Sequence, residues 1–147
     1  MAGQGKTNLY MARTLKQSPL IGWREQVRLP DLGLGPFIAK IDTGARTAAL
    51  HAEDIEIHGG AVRFAVHGKV CEASLEGRRR VKNSSGASEM RAVIITTIRI
   101  GKAEFDAEVT LTDRADMGVP MLLGRATIRG RFLVHPGRSF LQSAAHA

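Results

Sequence analysis

The chain has 147 residues, 44% hydrophobic and 24% charged, with a formal net charge of +7. That composition excludes a disordered or collagen-like chain, and the length suits one ordinary domain. One cysteine, Cys71, excludes an intrachain disulfide, and no apolar run reaches bilayer-spanning or signal-peptide length, so the cytoplasm is the expected compartment and no membrane partner is expected.

Residues 1–18 read as a flexible basic tail carrying Lys6, Arg13 and Lys16 and no acid. Within it, Gly5-Lys6-Thr7 matches only the end of a phosphate-loop signature and has no strand ahead of it, so nucleotide binding is not expected. A single domain over 19–143 follows, then a C-terminal tail at 144–147. From Ile21 the chain reads as short strands punctuated by turns. Ile21–Leu29 is the first, closed by Pro30-Asp31 and Gly33, and Phe37–Ile41 is the second. Ile55–Ile57 and Val62–Val66 form a hairpin around His58-Gly59-Gly60. Val70–Ser74 follows, and Ser84-Ser85-Gly86 turns the chain between Arg79–Lys82 and the longer strand Met90–Ile100. Over 104–111, Phe105, Ala107, Val109 and Leu111 alternate with polar residues, the mark of a half-buried strand. Met121–Leu123 is a short buried strand, and Ala126–Arg129 suits one helical turn. Phe132–Val134 and Ser139–Leu141 flank the turn Pro136-Gly137. About nine short strands at this spacing predict an all-β sandwich or barrel.

The sharpest chemical feature is Ile38-Ala39-Lys40-Ile41-Asp42-Thr43-Gly44-Ala45. An apolar strand delivers an aspartate into a tight turn, and glycine lets the backbone fold close behind it. About 80 residues later Met121-Leu122-Leu123-Gly124-Arg125 is a second apolar strand ending at glycine. The pair resembles the active-site loop of retropepsin-like aspartic proteases and the apolar–apolar–Gly-Arg segment that packs behind it. The wider chain resembles one bacterial subfamily often labelled ATP-dependent zinc protease. That likeness runs through Ile21-Gly22-Trp23-Arg24-Glu25, Asp42–Thr47, His51-Ala52, Arg80–Gly86, Leu111–Arg114, Leu122–Arg125 and Arg129–Val134, about residues 20–142.

The resemblance implies a closed retropepsin-like barrel of short antiparallel strands with one short helix, and peptide-bond hydrolysis. Asp42, Thr43 and Gly44 would be the catalytic loop. Ala45 and Arg46 beside it, Arg80 with Ser84, Ser85 and Gly86 in a flap spanning 76–91, and Arg125 would meet substrate. Arg46 and Arg125 could equally pair with a carboxylate. One aspartate is a poor general base at neutral pH, whereas two sharing a proton activate water and polarise the carbonyl. One Asp-Thr-Gly per chain therefore predicts a homodimer with Asp42 at the axis, Thr43 bonding across to the partner loop. Asp113 could be a second carboxylate within the chain, but Asp113 and Asp116 suit a loop held by side chain–backbone bonds better.

No cofactor is expected. Zinc would need three or four ligands, and His51, His58, His67 and Cys71 fit known spacings loosely; Cys71 reads better as a small buried hydrophobe. Glu76–Arg91 holds five cations against two acids. These charges suggest an acidic peptide or protein substrate, in keeping with the subfamily's association with ligases that add glutamate tails. A non-catalytic module binding acidic peptides or a protein partner is the alternative. A nucleic-acid-binding barrel would want exposed aromatics for stacking, and aromatics are only 5% of the chain.

Overall fold

The computed structural model describes residues 18–83 and 85–143. The tails expected at 1–18 and 144–147 therefore lie, apart from Ser18, outside the described residues, as do Gly5-Lys6-Thr7 and Ser84. Among the described residues there are twelve strands, two single 3-10 turns and one short α-helix. β1 (Leu20–Gly22), β2 (Arg24–Leu29) and β3 (Leu34–Ile41) lead to the Asp42 loop, and β4 (Ala48–His51) leaves it. β5 (Glu53–His58), β6 (Ala61–Val66) and β7 (Lys69–Ser74) make a separate meander. β8 (Gly77–Lys82), β9 (Ser88–Ile100) and β10 (Ala103–Thr112) follow, then β11 (Met121–Leu123), helix α1 (Arg125–Ile128) and β12 (Leu133–His135).

Six strands close a barrel in the order β10-β4-β11-β3-β2-β9, with β9 pairing back onto β10. The fold is thus the expected all-β, retropepsin-like barrel. Most pairings are antiparallel, but β10–β4 and β11–β3 run parallel. The reason is a crossing: β11 lies between β3 and β4, parallel to the first and antiparallel to the second. Closure leaves these six strands few open edges. Ile94, Ile98 and Ile100 from β9, Val109 and Leu111 from β10, and Met121 and Leu123 from β11 are almost wholly buried. Each such side chain contributes about 1.5–3 kcal/mol of burial. β10 shows both patterns: residues 103–108 alternate between half-buried and exposed, and Val109–Thr112 are buried on both faces where β4 and β9 flank it.

Glu25 fastens the C-terminal segment. Its carboxylate is fully buried. It accepts hydrogen bonds from the backbone N–H of Gly22 (2.7 Å), Leu141 (2.8 Å), Gln142 (3.1 Å) and Ser143 (3.0 Å), and from the Ser143 hydroxyl (2.8 Å). Beside it the Arg24 guanidinium lies 4.8 Å from the Trp23 ring and 5.1 Å from that of Phe140.

Several expected elements differ. The strand expected over Ile21–Leu29 divides at Trp23, because Gly22 lies against the Arg138–Ser139 backbone and Trp23 N–H donates to the Arg138 carbonyl. The strand expected over Ser139–Leu141 is absent: Phe140 N–H donates to Arg24 O and Leu141 N–H to Glu25, so this segment joins no sheet. β4, with no alternation in Ala48-Ala49-Leu50, gave no strand signal. It is buried on both faces.

Candidate active site

The Asp42 loop is held from three directions. Asp42 N–H donates to Leu123 O (2.9 Å) at the end of β11. Within the loop, Gly44 N–H donates to Asp42 Oδ1 (2.9 Å) and Ala45 N–H to Asp42 O (3.1 Å). From the start of α1, Arg125 N–H donates to Ala45 O (2.9 Å) and Ala126 N–H to Arg46 O (2.8 Å). The Arg125 guanidinium completes the clamp by donating to Thr43 O (2.7 Å). These bonds require close backbone approach at Gly124, where a Cβ would stand 2.7 Å from both the N and the C of Thr47, and nearer still to its carbonyl oxygen. The two sequence segments that end at glycine thus meet, and the second fixes the first.

The loop borders an open groove of about 960 Å³. Of the expected site residues, Asp42, Gly44, Ala45, Arg46, Arg80 and Arg125 line it. Thr43 is exposed on the loop and faces a smaller apolar hollow of about 210 Å³ formed with Leu123 and Ile128. The β8–β9 hairpin, where a flap over 76–91 was expected, supplies part of the groove lining from Arg79 to Asn83 and at Arg91. Its tip is tied by Asn83, whose Oδ1 accepts from Ser85 N–H (3.1 Å), the Ser85 hydroxyl (2.6 Å) and Ala87 N–H (3.1 Å). Ser85 and Gly86 are exposed on that tip.

Eight Lys or Arg residues and two Asp residues line the groove, so its field is strongly positive. Three of the arginines also face acids: Arg79 with Glu108 (2.8 Å), Arg91 with Glu89 (2.6 Å) and Arg114 with Asp116 (3.3 Å). Burial tends to raise the Glu89 pKa. Hydrogen bonds from Thr112 and Arg91, with the charges of Arg91 and Arg114, outweigh it and leave the carboxyl below its ordinary value. The Arg114 hydrogen bond and charge likewise lower Asp116. Asp113 is exposed on the loop after β10, and Asp116 reaches the groove.

Sequence reasoning counted Arg79 and Arg91 only among the five cations of Glu76–Arg91 and did not single them out, and it missed Arg114 as a groove residue. The available signal was strand alternation: Val81 marks the covered face of β8, and Arg79, two residues away, shares it. Among the described residues no group of three or more His, Cys, Asp or Glu side chains could hold a metal ion. His58 is exposed against Glu56 (3.1 Å), and His67 packs edge-on to Phe37. His51 accepts from Arg114 N–H (3.0 Å) and faces Glu53 (3.7 Å). Cys71 is buried, which raises its thiol pKa against the opposing charge of Lys69. Among the described residues no helix is long and apolar enough to cross a membrane.

Comparison with known proteins agrees with this geometry. Residues 20–145 match the RimB-like family, described as retropepsin-like aspartic endopeptidase RimB. A protein of Shewanella pealeana named "Probable alpha-L-glutamate ligase" is 38% identical over 133 residues, 82% of this chain and 29% of its own length. A Desulfotalea psychrophila protein of the same name is 36% identical over 129 residues, covering 80% of this chain and 28% of its own. The chain therefore spans less than a third of these relatives. A crystal structure of a Legionella pneumophila protein of unknown function superposes with a TM-score of 0.72 at 30% identity, covering 84% of this chain and 98% of that one.

Proposed function

This chain belongs to the RimB-like family of retropepsin-like aspartic endopeptidases, and we propose that it is an aspartic peptidase, working as a homodimer on acidic peptide segments in the cytoplasm. The observation that carries the reading is the Asp42 loop, clamped by Leu123, Arg125 and Ala126 at the edge of an open, positively charged groove. In the proposed dimer two Asp42 carboxylates meet and share one proton. The ionised one takes a proton from water as that water attacks the scissile carbonyl, and the protonated one donates to the carbonyl oxygen. Thr43, exposed on the loop, would bond across the axis. The β8–β9 hairpin would cover bound peptide and exclude water.

The positive groove supports an acidic substrate, and the glutamate-ligase names of the relatives suit a peptidase that trims tails such ligases build. A second reading draws on those same names: a domain spanning under a third of a ligase could bind acidic tails without cutting them. Mass spectrometry of a Glu-rich peptide incubated with the protein separates the two. Cleavage is expected, lost in Asp42→Asn with the fold retained, inhibited by pepstatin and indifferent to a chelator. Cleavage that survives Asp42→Asn removes the aspartic mechanism, and tight binding without any cleavage favours the binding module.

A further inference from the structure

We propose that Arg79 and Arg91 together form a carboxylate-binding subsite in the groove; the idea rests on the reading above that this groove takes peptide. β8 and β9 pair antiparallel with Arg79 directly opposite Arg91. Like charges in that relation are normally destabilising, yet both side chains line the groove. Each is held by its own acid. Arg79 Nη2 forms an ion pair with Glu108 (2.8 Å). Arg91 Nε donates to Glu89 (2.6 Å), and Glu89 is braced in turn by the Thr112 hydroxyl (2.7 Å). Arg91 is only 6% exposed, and its Nη1 reaches the buried Thr110 hydroxyl at 3.5 Å. A cation fixed this firmly loses little further side-chain freedom when it binds an anion.

Arg79 supplies the second observation. Its Nη1 is shielded from water and makes no hydrogen bond. A buried donor left unmet is destabilising. Yet the Arg79 side chain as a whole lines the groove and keeps 32% of its surface open, so the unmet donor belongs to a fork that already reaches the groove. A carboxylate bound there would satisfy that donor and neutralise the excess charge of the pair. The planar fork of arginine matches a carboxylate in two-point geometry, which a lysine cannot reproduce. Arg80 and Lys82 also line the groove, but with Arg78 they alternate onto the more exposed face of β8, where salt screens their charge more strongly. The carboxylate has two possible sources, the side chain of a Glu or Asp in the bound peptide or the terminal carboxylate of the chain.

The test is fluorescence anisotropy of labelled hexaglutamate titrated with Asp42→Asn protein, which separates binding from turnover. Arg79→Gln should weaken binding about tenfold or more, and Arg79→Lys should recover little of it because a point charge lacks the fork. Lys102→Gln removes the same charge from the exposed β9–β10 turn and should weaken binding less than about twofold in 0.15 M salt. Losing one partner leaves Glu108 at the surface, 45% exposed, so Arg79→Gln should fold; circular dichroism checks this. Amidated hexaglutamate and free-ended hexaglutamine separate the two carboxylate sources, and Arg79-dependent binding of either supports the subsite. Binding that falls equally in Arg79→Gln and Lys102→Gln, or in neither, overturns it. If binding depends on Arg79 but the wild-type protein never cleaves, the subsite stands and the peptidase reading falls. If cleavage occurs with an unchanged Michaelis constant in Arg79→Gln, the subsite falls and the peptidase reading stands.

Discussion

Replacing Gly124 by alanine should damage stability and the candidate site together. The added Cβ would lie 2.7 Å from the N and C of Thr47, roughly 1 Å inside ordinary non-bonded contact. Both neighbours are backbone, so no side chain can swing away. Either Thr47 or the start of α1 must retreat, and that motion lengthens Arg125 N–H to Ala45 O and Ala126 N–H to Arg46 O. Overpacking costs about 1–3 kcal/mol, and losing those two bonds adds about 0.5–1.5 kcal/mol each. The expected loss is therefore about 2–6 kcal/mol, a large share of the roughly 5–15 kcal/mol that holds a domain folded. Urea denaturation measures it. Gly77→Ala is the control, since a Cβ there meets nothing within 4 Å and should shift stability by less than about 0.5 kcal/mol. In any fraction that stays folded, the Asp42 loop is displaced and peptide cleavage should fall far more than stability alone requires. A Gly124→Ala protein as stable as Gly77→Ala, with unchanged cleavage, would refute the claim that β11 and α1 position the loop.

Glu25→Gln leaves an amide nitrogen facing at least two buried or part-buried N–H donors, at about 1–3 kcal/mol for a buried donor left unmet; a urea midpoint shift below what 1 kcal/mol produces would show the clasp is dispensable. Glu89 has a folded pKa below its unfolded one, so its contribution is complete above the ordinary glutamate range and disappears as pH falls through the lowered value. Thermal melts should therefore hold steady near neutrality and decline in acid, and Glu89→Gln should flatten part of that acid limb; an identical limb in the variant removes Glu89 from the account. Cleavage per chain should drop on dilution below the dimer dissociation constant, because one chain carries one Asp-Thr-Gly; a demonstrably monomeric sample with undiminished specific activity would end the dimer reading.

How far the sequence foretold this molecule depends on the kind of signal each element carries. β10 was legible because its first half stands with one face exposed, so Phe105 and Ala107 alternate with charged residues. β4 was not, because burial on both faces erases alternation and Ala48-Ala49 offers no strand preference of its own. The segment 139–141 carries Phe140-Leu141 like a strand, yet its backbone donors go to Glu25 and Arg24, partners more than a hundred residues away that no local window contains. At the site, Asp42 and Gly124 were both readable as strand ends, since each closes an apolar run. The inward arginines were not. Five cations between 78 and 91 look alike as composition; alternation along β8 and its pairing with β9 set the half-buried Arg79 and the buried Arg91 apart from the more exposed Arg78, Arg80 and Lys82.

The crossing of β11 between β3 and β4 also has a consequence in time. β3 and β4 are neighbours in sequence, separated only by the Asp42 loop, but they do not pair with each other. Their facing edges wait for Met121–Leu123, which leaves the ribosome after nearly all the rest of the barrel. Closing so long a loop is entropically costly, and non-local pairings of this kind belong to domains that fold in milliseconds to seconds. Until then the Asp42 turn has neither Leu123 beneath it nor Arg125 across it. A nascent or truncated chain ending before β11 thus carries the complete Asp-Thr-Gly without the means to hold it in shape, and the order of synthesis itself delays the site until the barrel around it is closed.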